Sequence, residues 1–183
     1  MTLIVPRPLE TARLVVRPVA ESDLPALMDV NGDEEVTRFL PYKTWRSIED
    51  AHAWLERMRG FEATGVSTQL VVVDKASRRA IGTALVFRFE PDNLQAELGF
   101  VLGRSHWRTG MMTEALTALV GAAFGEMKLR RLEAVAESRN AASCGLLRRL
   151  GFTREGVLRE RWLEDGKPLD AEMYGLLARE WRG

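Results

Sequence analysis

The sequence predicts a mixed α/β fold of the α+β kind, and three observations carry that prediction. Runs rich in β-branched and aromatic residues recur along the chain, as strands require. Other stretches carry apolar residues at helical spacing. The segments alternate as β, α, α, three strands, α, β, α and two strands, which interleaves helices with a sheet.

Arg13–Val19 (RLVVRPV) reads as a first strand closed by Pro18. In ESDLPALMDVNGD, Ser22 is expected to cap a helix that has Pro25 in its first turn and ends at Gly32. SIEDAHAWLERMRGFEATG starts with Ser47 and puts Ile48, Ala51, Trp54, Leu55 and Met58 on one helical face. TQLVVVDKASRRAIGTALVFRFE is a β-hairpin around the polar turn Asp74–Arg79, and QAELGFVL is the next strand. Met112, Leu116, Leu119, Val120, Ala123 and Met127 form the stripe of a long helix ending near KLRR. RLEAVAE is a short strand, and SRNAASCGLLRRLGF is a capped helix of about ten residues stopped by Gly151. Two strands with a turn at Asp165–Pro168 complete the order.

The 183 residues suit one domain, residues 1–183, with residues 1–8 as an N-terminal arm. At 46% hydrophobic and 28% charged, the composition is that of a soluble globular protein. The 26 basic and 26 acidic residues cancel, so no global field favours nucleic acid or an acidic membrane. A single cysteine, Cys144, excludes an internal disulfide framework and suits a reducing compartment. The first apolar run is too short for a signal peptide and is interrupted by Pro6 and Pro8. No run approaches the roughly 20 apolar residues of a membrane span, so a cytoplasmic location is expected.

The stretch GRSHWRTGMMTEAL, Gly103–Leu116, joins a strand to a helix. At such a junction the first helical N–H groups are unpaired and the helix dipole adds positive charge, a ready anion site. Gly110 permits a left-handed turn and close approach of a ligand oxygen, and Arg104 and Arg108 add charge suited to phosphate. Neither a P-loop nor a Gly-x-Gly-x-x-Gly fingerprint is present. On the glycine alone, an ordinary connection with solvated arginines remains the alternative.

Element order decides between them. A strand, a glycine-bearing turn and a long helix, then a strand, Asn-x-x-Ser and Leu-Gly-Phe, resembles the GNAT superfamily of N-acetyltransferases. That family's turn reads Gln/Arg-x-x-Gly-x-Gly/Ala; here it is Trp107-Arg108-Thr109-Gly110-Met111-Met112. With LETARLVVRPVAESDLPAL at the front and Thr113-Glu114-Ala115 after the turn, the chain resembles the branch of ribosomal-protein N-terminal (alanine/serine) acetyltransferases. The resemblance runs from about Leu9 to Leu177 and implies a mostly antiparallel central sheet of about seven strands flanked by about four helices.

It also implies acetyl-coenzyme A as co-substrate, no metal, and direct transfer to a primary amine, foremost a protein N-terminus. A small-molecule amine such as an antibiotic, or a non-catalytic coenzyme-A-binding module, are the alternatives. By position in the family's motifs, Arg108, Thr109, Gly110, Met111, Met112 and Thr113 supply amides to the pyrophosphate. Phe100, Val101 and Leu102 run beside the pantetheine, as an added strand would. Asn140 either bonds the pantetheine arm or simply caps its helix. Arg149 either meets the adenosine phosphate or is a solvated helix residue. Met112 replaces a small residue: turned into the core it leaves the amides free, turned outward it crowds the ligand.

Acetyl transfer needs a base for the amine, a donor for the oxyanion and an acid for the departing thiolate. Glu97, in AELGF, is the expected base; by strand alternation it shares a face with Gly99 and Val101, opposite Leu98, Phe100 and Leu102. Glu160, in LRERWL, competes with it, and an exposed strand residue is the plain alternative. Many family members carry a tyrosine acid where this chain has Leu147; Ser143, about one turn after Asn140, matches the position where the ribosomal branch carries a serine near the coenzyme sulfur and is the candidate acid, the alternative being a first-turn serine that only satisfies the backbone. Cys144 reads as a small buried residue, while His52 and His106 lie away from the motif or face the turn. Phe39, Tyr42, Trp45 and Trp162 are expected at the acceptor cleft unless they are core. A peptide α-amine, of reference pKa about 7.7–8.0 against about 10.4 for lysine, needs only a weak base. The carboxylates near the cleft are Glu155, Glu160, Glu164 and Asp165, too few to favour a polycationic acceptor. The enzyme is expected as a monomer or homodimer.

Overall fold

In the computed structural model, residues 7–164 and 166–183 are described; residues 1–6 of the expected arm and Asp165 of the expected last turn lie outside the described residues. The chain begins with a short strand β1 (Leu9–Glu10) and β2 (Leu14–Pro18), then helices α1 (Leu24–Asn31), α2 (Glu34–Thr37) and α3 (Ile48–Ala63). Strands β3 (Thr68–Asp74), β4 (Arg79–Glu90) and β5 (Gln95–Leu102) follow, then α4 (Met111–Gly125) and β6 (Arg131–Glu137). Helix α5 (Ala141–Arg149) precedes the closing strands β7 (Thr153–Glu164) and β8 (Lys167–Leu177). All eight strands form one sheet in the order β1-β2-β3-β4-β5-β6-β8-β7.

Every neighbouring pair is antiparallel except β5 and β6. That parallel pair holds for three positions: Gln95↔Arg131, Ala96↔Leu132 and Glu97↔Glu133. Beyond Glu97 the two strands part, because each follows its other partner. β5 stays on β4 as far as Leu102↔Gly82, and β6 stays on β8 as far as Glu137↔Ala171. A wedge thus opens in mid-sheet with Glu97 at its apex, where the inner edges of both strands have no strand partner among the described residues.

Helices cover both faces. Leu98 and Ala134 bury against the inner stripe of α4, where Leu116, Leu119, Val120 and Ala123 are almost wholly sequestered. On the opposite face α1 and α3 cover Val71 and Ala80, with Trp45 and Trp54 tilted together at 5.4 Å between ring centres. Strand alternation sends Glu97, Gly99 and Val101 toward this second face, while Phe100 and Leu102 pack on the α4 core.

Several expectations need correction. The sheet has eight strands rather than about seven, since Leu9–Glu10 pairs with β2, and there are five α-helices among the described residues. The extra helix, α2, is capped by Asp33, whose carboxylate accepts the Glu35 amide at 3.0 Å. Ser22 is no cap: Asp23 accepts the Ala20 amide at 2.8 Å and both Arg17 guanidinium nitrogens at 2.8 Å. Ile48 is exposed although Ala51, Trp54 and Leu55 are buried, because it opens the helix beyond the reach of the core. α4 stops at Gly125, short of KLRR, yet Met127 is still buried by the turn that follows.

Candidate active site

The turn after β5 is built to leave amides exposed. Gly110, at φ 79°, caps α4 in the left-handed region, and Arg108 also stands there at φ 62°. The Trp107 indole N–H donates to the Leu102 carbonyl at 2.8 Å, tying the turn to the end of β5. Thr109 Oγ1 donates to the His106 carbonyl at 2.6 Å. The first helical bond runs from the Glu114 amide to the Gly110 carbonyl at 3.0 Å, so the Met111, Met112 and Thr113 amides have no acceptor among the described residues. Met112 is 3% exposed and packs in the main core, so its bulk does not obstruct those donors. Arg104 is not a ligand of the turn: its guanidinium pairs with Asp33 at 2.8 Å. Arg108 is exposed and forms no ion pair among the described residues.

The bend between β1 and β2, which includes Arg13 because β2 starts only at Leu14, reaches this turn through an interaction invisible to local sequence. Glu114 accepts the Arg13 guanidinium Nε at 2.7 Å, the Arg13 amide at 2.8 Å and the Thr11 hydroxyl at 2.5 Å. Arg13 Nη1 also donates to the Thr109 carbonyl at 3.0 Å. Burial opposes ionisation of Glu114, but the Thr11 and Arg13 donors outweigh it and hold the carboxyl below its ordinary range. The segments carrying these residues stand out in the sequence; their pairing across about a hundred residues does not.

A cavity of about 650 Å³ opens beside the turn, lined by Gly110, Thr113, Glu114, Thr117 and Arg149 among others. It brings the α4 N-terminus together with the last turn of α5. Asn140 caps α5, its side-chain carbonyl accepting the Ser143 amide at 3.1 Å, so its carboxamide nitrogen is the part left for a ligand. Ser143 is partly exposed in the first turn of α5. Cys144, one residue on, is buried, and burial pushes its thiol up. Phe100, Val101 and Leu102 are partly exposed along the β5 side of the wedge.

Glu97 stands at the apex of the wedge, its side chain only 12% exposed. It accepts Arg88 Nη1 at 2.6 Å, from a bulge of β4 where Arg88 sits at φ 51°. Burial raises the Glu97 carboxyl above its ordinary range; the Arg88 charge and hydrogen bond oppose the rise, the neighbouring Glu133 adds to it and Arg161 reduces it. A carboxylate shifted upward, yet still paired to a cation, is suited to taking a proton near neutral pH. Glu133, Arg88 and Arg161 were not singled out in the sequence. The parallel register that puts Glu133 beside Glu97 is a tertiary fact.

Glu160 lies on a bulge of β7 at φ 50°, exposed, with its amide donating to Asp170 at 2.8 Å. Of the expected cleft aromatics, Trp45 is core and Tyr42 donates its hydroxyl to the buried Asn31 at 2.8 Å. Phe39 and Trp162 remain solvent-accessible. Glu155 binds Arg131 and Glu164 binds Arg139 at 2.9 Å, so neither is a free anion of the cleft. His106 bonds Ser105 in the turn, and exposed His52 lies 3.9 Å from Glu21. Among the described residues no group of three or more metal-binding side chains converges, and no helix is long and apolar enough to cross a membrane.

Comparison with known proteins places this geometry. A family model, the acetyltransferase (GNAT) domain, matches residues 13–153. The chain is 31% identical over 175 residues to the uncharacterized N-acetyltransferase p20 of Bacillus licheniformis, covering 96% of this chain and 98% of the relative. It is 30% identical over 182 residues to the ribosomal protein uS5-alanine N-acetyltransferase of Escherichia coli (strain K12), covering 94% and 92%. Its fold superposes, at a TM-score of 0.84 and 22% identity, on RimL, a ribosomal L7/L12 alpha-N-protein acetyltransferase in complex with coenzyme A, covering 93% of this chain and 98% of that one. The chain is therefore a member of the GNAT acetyltransferase family.

Proposed function

We propose that the protein transfers the acetyl group of acetyl-coenzyme A directly to a primary amine, foremost the α-amine of a protein N-terminus. The observation that carries the reading is the wedge with Glu97 at its apex and the free amides of the α4 turn at its mouth. These features fit the coenzyme chemically. Amides of Met111, Met112 and Thr113, with Arg108, Thr109 and Gly110, suit a pyrophosphate; Arg149 lines the same cavity and adds positive charge. The edge of β5 at Phe100, Val101 and Leu102, where the Trp107 indole already takes the Leu102 carbonyl, suits the amides of a pantetheine arm through its remaining backbone groups, with Asn140 offering its carboxamide nitrogen. Bound there, acetyl-coenzyme A supplies a thioester as acyl donor.

The remaining work falls to the chain's own side chains. Glu97 takes a proton from the acceptor ammonium, directly or through a water, and Arg88 keeps the carboxylate ionised. Ser143 returns a proton toward the leaving sulfur side of the wedge. Cys144 takes no part, because its thiol is buried and held protonated. An N-terminal amine is favoured because it needs only a modest base and because the carboxylates Glu155 and Glu164 are neutralised by arginines, which removes the field a polycation would seek. Phe39 and Trp162 offer apolar surface to a peptide. The place of action we propose is the cytoplasm, where Cys144 stays reduced.

The test is acetyl transfer from radiolabelled acetyl-coenzyme A to a panel of peptides with free N-termini, beside spermidine and an aminoglycoside. Preferential labelling of peptide α-amines supports the reading. Turnover confined to the small amines assigns the second acceptor class, and coenzyme binding without turnover on any amine contradicts catalysis.

A further inference from the structure

The cavity beside the α4 turn poses an electrostatic difficulty. Glu114 lines it, yet the neighbouring amides and Arg149 make it a site for an anion. A free carboxylate within the first turn of a helix would repel a phosphate placed at that N-terminus. Arg13 removes the difficulty, its Nε lying 2.7 Å from Glu114 and its amide 2.8 Å from the same carboxylate. The same guanidinium does something more directional. Nη1 holds the Thr109 carbonyl at 3.0 Å, and in a trans peptide the carbonyl and the following N–H point in opposite directions. Anchoring Thr109 oxygen on Arg13 therefore turns the Gly110 N–H away from Arg13. A side chain at Gly110 would stand 3.6 Å from Arg13 Nη2, so the guanidinium also walls the glycine on that side.

We infer that Arg13 is a positioning residue for coenzyme binding: from the bend just before β2 it neutralises Glu114 and fixes the Thr109–Gly110 peptide plane so that the turn presents its amides to the pyrophosphate. The inference rests on the reading of this turn as the pyrophosphate site. It makes the bend between β1 and β2 part of the coenzyme site although Arg13 is no ligand of the coenzyme, and it gives the sequence pair Arg13 and Glu114 a common purpose. Arginine is required because one planar fork must meet a carboxylate and a carbonyl at once; lysine offers a single point of charge.

The experiment compares binding of coenzyme A, by calorimetry, with binding of pantetheine, by ligand-observed NMR, for wild type, Arg13→Met, Arg13→Lys and Gly110→Asp. Pantetheine lacks the pyrophosphate and does not visit the turn. Arg13→Met is expected to weaken coenzyme A on the order of tenfold while leaving pantetheine unchanged, with Arg13→Lys between the two. Equal losses for both ligands, or a coenzyme A affinity within about twofold of wild type, overturn the inference. If Arg13→Met does not fold by circular dichroism, Arg13→Lys carries the same comparison. Should Gly110→Asp bind coenzyme A like wild type, the pyrophosphate reading itself falls; if Gly110→Asp fails to bind and Arg13→Met binds normally, only the role of Arg13 falls.

Discussion

Arg88 and Glu97 meet at 2.6 Å across neighbouring strands, at the one place where the sheet divides. The arginine comes from a bulge that holds it in the left-handed region, and the glutamate is the last residue of β5 still paired to β6. Burial alone would keep Glu97 protonated to higher pH, and Arg88 works against that burial. Activity that needs ionised Glu97 therefore appears as pH rises through its pKa. Arg88→Met should move the acidic limb of the kcat/KM profile to higher pH, with Arg88→Lys restoring part of the shift. Glu133 and Arg161 also act on Glu97, so Glu133→Gln should move the limb the opposite way. An acidic limb that stays in place in both variants shows that Glu97 is not the titrating base.

Glu97→Gln should lower kcat by about 10²- to 10⁴-fold, the usual worth of a general base. The same change should stabilise the fold. A carboxyl whose folded pKa is raised binds its proton more tightly in the folded chain than in the unfolded one, so stability falls as pH climbs through the folded value. At neutral pH the amide avoids this penalty, and the melting temperature should rise. Calorimetric scans at pH 5 and pH 8 check the sign: the gain should be larger at pH 8. Glu160→Gln, on the exposed bulge, should leave kcat within about threefold of wild type.

Ser143→Ala tests the proposed acid. The side chain leaves the α5 cap intact, because Asn140 bonds the Ser143 amide and not its hydroxyl. Helix content and coenzyme affinity should hold while kcat falls about tenfold or more. An unchanged kcat removes Ser143 from the chemistry.

Met112→Ala separates packing from binding. Met112 is 3% exposed in the core, so truncation should destabilise by about 2–5 kcal/mol. At a temperature where the variant is folded, its affinity for acetyl-coenzyme A should match wild type, because the amide and not the side chain faces the turn's mouth. Tighter binding by Met112→Ala would mean that the methionine had been obstructing the site.

What the sequence disclosed follows from how local each signal is. The stripe Met112–Met127 announced α4, since helical periodicity shows in the residues along it, but it left Met112 open between core and ligand until the fold buried it. Gly110 and Gly151 announced their turns because only a left-handed backbone needs a glycine there. The four-residue α2 escaped because it is too short to show a period. Arg104 was placed at the phosphate turn by proximity in sequence, whereas the fold sets Asp33 beside it. Trp45 and Tyr42 were ambiguous between cleft and core until α1 and α3 closed over them. Glu133 beside Glu97 and Arg13 beside Glu114 depend on strand register and on a strand docking against a helix, which no spacing along the chain encodes.

If acetyl-coenzyme A binds as proposed, the Gly110 turn grips its pyrophosphate. The most direct measurement is calorimetric titration of the wild type with acetyl-coenzyme A beside an Arg108→Glu, Gly110→Asp double variant. Aspartate is among the residues that adopt a left-handed backbone most readily, so the variant, checked for folding by circular dichroism, adds two negative charges to the turn and sets one of them beside Arg13. The wild type should bind with a Kd on the order of micromolar and the variant not at all. No heat from a folded wild type, or equal affinity in both proteins, would contradict it.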